Sequence, residues 1–161
     1  MSGEFKIALA NEQATLAFGR MIASEGCLNQ GGVLYLQGQL GAGKTTFVRG
    51  ILSGLGYLDA VLSPTYTLVQ VYELAGRSIV HVDLYRLSHP EELEHIGVRD
   101  YFHKESICLV EWPEKGAGYL PEADVECHIQ EQGQGRVLIC TANTGRGNKI
   151  LQAVKRICIH S

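Results

Sequence analysis

One short segment contains the clearest chemical signal in the sequence. Residues Gly38–Thr45 read Gly-Gln-Leu-Gly-Ala-Gly-Lys-Thr, which matches the phosphate-binding pattern G-x-x-x-x-G-K-[ST] at every fixed position. Its glycines allow the backbone to curl with its N–H groups pointing at a phosphate. Lys44 can reach the β- and γ-phosphate oxygens, and the hydroxyl of Thr45 can ligate Mg²⁺. The segment therefore predicts a P-loop that binds a nucleoside triphosphate with Mg²⁺.

Two acidic residues each follow an apolar run and could face that metal. Residues 79–83 read Ile-Val-His-Val-Asp, and residues 107–111 read Ile-Cys-Leu-Val-Glu. A P-loop needs a carboxylate at the end of a neighbouring strand to orient the Mg²⁺. Glu111 fits this Walker B position, with Glu in place of the usual Asp. We therefore predict that Glu111 is a metal ligand and that Asp83 belongs to the same metal shell.

Two other features each allow two interpretations. The segment Ser63–Thr67 (Ser-Pro-Thr-Tyr-Thr) has the hydroxyl groups of a loop that senses a γ-phosphate, but it is equally consistent with an ordinary turn before a strand. Trp112 directly follows Glu111. Its ring could stack on a base or a partner, or it could cover the edge of the core.

The elements around the P-loop predict how it is positioned. Asn11 can cap a helix that extends to about Ser24, with its apolar residues on one face. The run Val33–Leu36 predicts a buried strand immediately before the P-loop. A second helix is expected to begin at Lys44 and to end before Gly56, which suits the C′ position.

The rest of the chain predicts more strands than helices. Pro90 is expected at the first position of a helix, residues 113–121 are expected to form a loop, and the tail from Ile150 to Ile159 fits either a helix or a strand. The expected strands are Thr67–Leu74 and Ser78–Leu84, forming a hairpin, then Ile107–Val110, Ala123–Gln130 and Arg136–Ala142. Residues 1–161 therefore predict one α/β domain, with a P-loop NTPase-like fold and a mixed sheet flanked by helices.

Composition excludes several kinds of function. The chain has 161 residues and a net charge of −3, without the polybasic block that would grip nucleic acid or an anionic membrane. The five cysteines form no C-x-x-C pair and are expected to be buried thiols, and His89 and His95 lack the spacing of a zinc site. No apolar run approaches the roughly 20 residues needed to span a bilayer, and residues 1–6 lack a signal core. We expect a cytoplasmic protein with no membrane partner.

Several segments in order resemble those of the TsaE family. The resemblance extends from the first helix to about Arg136. The matching segments are Gly38–Thr46 (GQLGAGKTT), Ser63–Leu68 (SPTYTL), His81–Leu87 (HVDLYRL), Pro90–Leu93 with Gly97–Tyr101 (PEEL and GVRDY), and Glu111–Glu114 (EWPE). A P-loop alone would point to no single family, but SPTYTL, HVDLYRL and EWPE in this order are specific.

The resemblance implies an activity and partners. A member of this family is an ATPase required for threonylcarbamoylation of the adenosine just after the anticodon in tRNAs that read ANN codons. It acts in a complex with the proteins TsaD and TsaB, where it resets or primes the transferase TsaD, so tRNA is reached only through the complex. The ligands implied are ATP or ADP and Mg²⁺.

The resemblance also implies roles for individual residues. Lys44, Asp83 and Glu111 are the catalytic residues it implies, with Thr45 and Glu111 as the Mg²⁺ ligands. Glu12 is expected near the nucleoside, together with Gly135 and Arg136. The nucleotide contacts expected from the P-loop are Gly38, Leu40, Gly41, Ala42, Gly43, Lys44, Thr45 and Thr46.

Two other classes of protein could use the same P-loop. A small-molecule kinase needs a lid with several arginines near the γ-phosphate, and only Arg136 and Arg146 are plausible late in this chain. A GTP-operated switch usually carries N-K-x-D, and the nearest segment, residues 148–151, reads Asn-Lys-Ile-Leu and lacks the acid. The kinase remains the main alternative.

Overall fold

The structure, a computed structural model, describes residues 3–61, 64 and 66–159. Helices and strands alternate early in the chain, and strands cluster later. In order the elements are β1 (Glu4–Leu9), α1 (Glu12–Ser24), β2 (Gly32–Gln37), α2 (Lys44–Gly54), β3 (Val69–Leu74), β4 (Arg77–Asp83), α3 (Glu92–His95), β5 (Ile107–Glu111), β6 (Val125–Gln132), β7 (Gly135–Ala142) and α4 (Gly145–Ile159). Single 3₁₀ turns lie at Val98–Tyr101 and Pro113–Gly116.

The strands form one seven-stranded sheet in the order β1-β7-β6-β2-β5-β4-β3. The strands β6, β2, β5 and β4 are parallel neighbours in the middle of the sheet. The edges are antiparallel, because β3 pairs with β4 on one side and β1 and β7 continue from β6 on the other. This arrangement confirms the predicted mixed α/β sheet. The carboxyl ends of β2, β4 and β5 meet at one edge, where ligands bind in open α/β sheets.

The core has two parts, one on each face of the sheet. Helices α1, α2 and α4 contribute to the larger cluster, which includes Phe18, Phe47, Ile51 and Leu151. The smaller cluster lies on the opposite face and includes Val80, Val82 and Leu93. Because side chains alternate along a strand, Ile79, His81 and Asp83 of β4 point to the face opposite Val80 and Val82. The functional residues of β4 therefore share a face with the P-loop helix.

Both early helices form as the sequence predicts. The Asn11 side chain accepts a hydrogen bond of 2.9 Å from the N–H of Ala14 and so caps α1, which ends at Ser24. Helix α2 begins at Lys44 and ends at Gly54. Gly56 follows with a positive φ of 102°, the conformation that favours glycine after a helix.

Several elements differ from the predictions. Strand β1 was not predicted, although residues 4–9 alternate polar and apolar as an edge strand would. The tail is a helix, α4. Helix α3 begins only at Glu92, so Pro90 lies in the turn before it. Ser63 and Thr65, which belong to the predicted hydroxyl loop, lie outside the described residues.

The cysteines are free thiols, as expected. Four are buried (Cys27, Cys108, Cys127 and Cys140), and Cys158 is half-buried. Burial raises the pKa of Cys108 to about 12, which keeps that thiol protonated and unreactive. Within the part of the chain that the structure describes, no helix combines the length and apolar character that crossing a membrane requires.

Candidate nucleotide-binding site

A cavity of about 340 Å³ opens at the carboxyl edge of the parallel strands. It brings together residues that are far apart in the sequence, from α1, the P-loop, β4, β5 and β7. The lining residues are Glu12, Thr15, Leu40, Gly41, Ala42, Gly43, Lys44, Thr45, Thr46, Asp83, Tyr85, Glu111, Trp112 and Arg136. Of the predicted site residues, only Gly38 and Gly135 do not line it.

Glycines give the P-loop its path. Gly41 and Gly43 have positive φ values of 82° and 113°, a backbone conformation that other residues adopt at a cost. At position 38 a glycine is required for steric reasons, because a Cβ there would lie 2.5 Å from the carbonyl oxygen of Ile129 in β6. Gly38 therefore allows the loop to pack against β6, whereas Gly41 and Gly43 shape the surface that faces the cavity.

Lys44 lies over the cavity and is held by its own loop. Its Nζ donates to the carbonyl oxygens of Gly38 at 2.6 Å and Gln39 at 2.9 Å, and it sits 4.3 Å from the centre of the Trp112 ring. Burial lowers the pKa of Lys44, while the carboxylates of Glu111 and Asp83 oppose that shift. The ammonium group therefore lies at the P-loop, within the electrostatic influence of the two carboxylates.

Thr45 and Glu111 are in direct contact. The Thr45 hydroxyl donates to Glu111 Oε1 at 3.0 Å and lies 3.2 Å from Oε2. Glu111 is buried at the end of β5, and its Oε2 also lies 2.5 Å from Nε2 of His81. The two residues predicted as metal ligands therefore lie together, and His81 is an additional neighbour that the sequence did not single out.

Asp83 lies beside Glu111 on the neighbouring strand. The two residues are paired in the parallel register of β4 and β5. The Asp83 carboxylate accepts a hydrogen bond of 3.0 Å from the backbone N–H of Tyr85, which holds it at the strand end. Both carboxylates therefore face the same cavity as Lys44.

The opposite side of the cavity is formed by α1 and β7. Glu12 Oε1 accepts a hydrogen bond of 3.4 Å from the Thr46 hydroxyl. Arg136 Nε donates to the carbonyl oxygen of Ala42 at 2.8 Å, which joins the start of β7 to the P-loop. Gly135 lies behind this contact, where a Cβ would approach the carbonyl oxygen of Leu9 to 2.7 Å. A glycine at position 135 therefore allows the backbones of β7 and β1 to pack closely, next to Arg136.

Trp112 covers an edge of the core, and its side chain also faces the cavity. Its ring packs against the smaller core cluster and also lines the cavity. Its φ is +57°, unusual for a bulky residue, and its ring lies 5.1 Å from that of Tyr85. The turn after β5 therefore directs an aromatic side chain over Lys44.

The oxygen groups at the strand ends suit Mg²⁺. No cluster of three or more His, Cys, Asp or Glu side chains able to hold a metal occurs among the residues described. Mg²⁺ is commonly held by one or two carboxylates together with substrate phosphates and water, and a closed cage of side chains is not required. The Thr45 hydroxyl and the Glu111 carboxylate, with Asp83 beside them, fit that type of shared site.

The fold and this cavity define a class, a single-domain α/β protein with a P-loop NTPase-like fold. The sequence matches the family described as threonylcarbamoyl adenosine biosynthesis protein TsaE over residues 9–138, and the chain belongs to that family.

Individual relatives agree with this assignment. The chain is 54% identical over 121 residues to a tRNA threonylcarbamoyladenosine biosynthesis protein TsaE from Haemophilus influenzae, covering 75% of this chain and 77% of that protein. It is 34% identical to the Bacillus subtilis TsaE over 154 residues, or 95% of each chain. The crystal structure of Bacillus subtilis YdiB superposes with a TM-score of 0.82 at 30% identity, covering 98% of both chains.

Proposed function

We propose that this protein is a Mg²⁺-dependent ATPase of the cytoplasm that acts with TsaB and TsaD. In this proposal it serves the formation of the threonylcarbamoyl group on the adenosine next to the anticodon of tRNAs reading ANN codons. The observation that carries the ATPase part is the convergence of Lys44, Thr45, Asp83 and Glu111 on one cavity. The family and its relatives, whose names state a role in tRNA threonylcarbamoyladenosine biosynthesis, support the pathway.

The P-loop would bind the triphosphate. Backbone N–H groups of the loop and the amino end of α2 favour anionic oxygens. Lys44 would exchange the carbonyl oxygens that it now contacts for phosphate oxygens, which are stronger partners for an ammonium group. Glu12 and Arg136, which line the α1 and β7 side of the cavity, would contact the nucleoside.

The residues at the carboxyl ends of β4 and β5 would support hydrolysis of the bound nucleotide. When bound, Mg²⁺ neutralises charge on the β- and γ-phosphate oxygens. Thr45 and Glu111 would hold it, and the Asp83 carboxylate would orient the attacking water or help to position the metal. Trp112 and Tyr85 cover this end of the cavity and would limit the access of bulk water.

The cavity also suggests slow turnover by the isolated chain. Arg136 is the one arginine that lines the cavity in the described part of the chain, and its Nε and Nη2 already point at the Ala42 and Gly41 carbonyls. Arg86 lies instead over the ring of Tyr66, 4.9 Å away. A missing arginine finger withholds a factor of roughly 10³–10⁵ in rate, so we propose that TsaB and TsaD stimulate the ATPase.

The placement of Arg146 counts against the arginine lid that a small-molecule kinase would need. Its Nε and Nη2 donate to Asp124 at 3.0 and 2.8 Å, and Asp124 contacts the first residues of β2 through the N–H of Val33. That is the opposite end of the sheet from the P-loop. Arg146 therefore cannot join Arg136 in a phosphate lid.

Steady-state release of inorganic phosphate tests the proposal. The chain would be assayed alone, with TsaB, with TsaD and with both, using ATP and then GTP with and without Mg²⁺. We expect slow, Mg²⁺-dependent hydrolysis of ATP that increases when both partners are present. The Lys44→Ala variant mixed with the same partners gives the background rate, which is the ATP hydrolysis that TsaB and TsaD contribute themselves.

Two results would count against the proposal. If the chain alone turned over ATP as fast as the complete mixture, partner stimulation would be wrong. If phosphate passed from ATP to a metabolite and not to water, the small-molecule kinase would become the better interpretation.

A further inference from the structure

His81 is a buried polar residue next to the site but outside the cavity. Its side chain is fully buried in β4, at 0% exposure, on the same face as Ile79 and Asp83. It does not line the cavity. Among the residues that the structure describes, its imidazole is hydrogen-bonded through Nε2 to Oε2 of Glu111 at 2.5 Å.

The hydrogen bond to Glu111 indicates which tautomer His81 adopts. A carboxylate oxygen only accepts hydrogen bonds, so Nε2 carries the proton and donates to Glu111. Nδ1 is then a lone pair, and it has no hydrogen-bond partner among the described residues. A proton on Nδ1 would be a buried donor without an acceptor, which is a costly arrangement.

This hydrogen bond helps to fix the Glu111 carboxylate from a second side. The Thr45 hydroxyl approaches Oε1 at 3.0 Å from the P-loop helix, and His81 approaches Oε2 from β4. A glutamate side chain has three rotatable bonds and, without partners, would populate several rotamers. The two contacts together hold one orientation of the carboxylate.

Packing alone does not account for a histidine at this position. The neighbouring buried positions of β4 and β5 are aliphatic, with Ile79, Val80, Val82 and Leu109 all at 1% exposure or less. An aliphatic side chain would fill such a site without the cost of burying an imidazole. The imidazole supplies a donor at the Glu111 carboxylate, and an aliphatic residue cannot.

We propose that His81 is a positioning residue, which holds the Glu111 carboxylate toward Thr45 and toward the divalent cation of the nucleotide. It acts through Glu111 and touches neither the nucleotide nor the reacting atoms. The identity of the cation rests on the proposed function, but the effect of His81 on the orientation of Glu111 does not.

A matched pair of variants separates this hydrogen bond from general packing. In His81→Gln the amide nitrogen can reach about as far from the backbone as the imidazole Nε2. In His81→Asn it stops near the position of Nδ1 and cannot reach Glu111. Both replacements are neutral amides, so they differ mainly in whether they can donate to the carboxylate.

The first measurement is binding of Mn²⁺, a spectroscopic substitute for Mg²⁺, in the presence of saturating ADP, followed by electron paramagnetic resonance. Loss of a residue that orients a metal ligand typically costs about 10–100-fold in metal affinity. We therefore expect at least about tenfold weaker Mn²⁺ binding in His81→Asn, with most of the loss restored in His81→Gln. Equal Mn²⁺ affinity in the wild type and His81→Asn would overturn the proposal.

The second measurement needs no metal. Crystal structures of the two variants would show the Glu111 carboxylate rotated away from Thr45 in His81→Asn and retained in His81→Gln. An unchanged Glu111 in His81→Asn would refute the positioning role. If the wild type bound no divalent cation with ADP, the proposed ATPase function would fail, and these two structures would still decide the role of His81.

Discussion

Asp83 and Glu111 are directly paired in register on the parallel strands β4 and β5. Two neighbouring buried carboxylates repel each other unless other groups compensate their charges. Here the Tyr85 N–H donates to Asp83, Thr45 and His81 contact Glu111, and the Lys44 ammonium lies over the same cavity. The pairing therefore brings two carboxylates and the Lys44 ammonium to one cavity.

The first prediction concerns the chemistry of these two carboxylates. Glu111→Gln and Asp83→Asn should each lower the steady-state rate of ATP hydrolysis by about 10²-fold, since each removes a negative charge that positions the metal or the water. Binding of ADP without metal should change little, because it depends mainly on the P-loop backbone. Phosphate-release assays and calorimetric titration measure the two quantities.

Glu122→Gln is the matched control for this pair, since Glu122 is exposed and lies outside the cavity. It should hydrolyse ATP at the wild-type rate. A wild-type rate in Glu111→Gln or Asp83→Asn under saturating Mg²⁺ would remove that residue from the metal shell.

The second prediction concerns Lys44. Lys44→Ala should weaken binding of a fluorescent ATP analogue by about thirty- to a hundredfold, because a charge-assisted contact to phosphate contributes roughly 2–3 kcal/mol. Lys149→Ala is the control, since Lys149 is an exposed lysine of α4. Unchanged affinity in a folded Lys44→Ala variant would show that the nucleotide binds elsewhere.

Much of the site could be predicted because its signals are local. The P-loop pattern lies within Gly38–Thr45, Glu111 directly follows an apolar run, and Asp83 follows a run that is apolar except for His81. Parallel strands with ends at one edge then bring Asp83 and Glu111 beside Thr45, as the expected fold requires. The sequence therefore predicted those contacts that follow directly from the order and direction of the strands.

Other features depend on contacts that no short pattern encodes. His81 occupies an interior position of a buried strand, and its contact with Glu111 depends on the register between β4 and β5. Arg136 was expected near the nucleotide, but its hydrogen bond to Ala42 depends on where β7 lies in the sheet. Strand β1 was missed because a short edge strand is stabilised by its pairing with β7, which is distant in sequence.

The third prediction concerns the crossing of α1 and α2. A Cβ at Gly50 would lie 2.3 Å from the carbonyl oxygen of Leu16, and backbone cannot move aside as a flexible side chain can. Gly50→Ala should therefore lower the free energy of unfolding by about 1–3 kcal/mol, although alanine favours a helix by roughly 1 kcal/mol over glycine. Denaturant unfolding measures this change.

The control for this prediction is Gly145→Ala at the start of α4, where an added Cβ meets nothing within 4 Å. Its stability should stay within about 0.5 kcal/mol of the wild type. Equal free energies of unfolding for Gly50→Ala and Gly145→Ala would show that the backbones of α1 and α2 do not approach each other this closely at Gly50.

The fourth prediction concerns acid stability and Asp124, at the end of the sheet away from the P-loop. Its carboxylate accepts hydrogen bonds from the Val33 N–H at 2.8 Å, from the Thr144 hydroxyl at 2.6 Å and from Arg146 Nη2 at 2.8 Å. Burial alone would raise the pKa of Asp124, but the bonds from Arg146, Thr144 and Val33 outweigh it and hold the pKa below its ordinary value. The ionised carboxylate therefore stabilises the fold.

A lowered pKa in the folded state fixes the sign of the pH dependence. The stabilisation by Asp124 is fully present above its unfolded-state pKa of about 4 and is lost as the pH falls through the lower, folded-state pKa. Asp124→Asn should reduce the free energy of unfolding by about 3 kcal/mol at neutral pH. This difference from the wild type should begin to shrink below about pH 4, where Asp124 in the unfolded wild-type chain takes up a proton, and should be smallest once the pH falls below the lower folded-state pKa. Glu126→Gln is the control two residues further along the chain, because the Glu126 carboxylate accepts an exposed hydrogen bond from Asn143 and its loss should change stability by less than about 0.5 kcal/mol. Urea unfolding at several pH values measures all three proteins, and a difference for Asp124→Asn that stayed constant down to pH 2 would show that ionisation of Asp124 does not stabilise the fold.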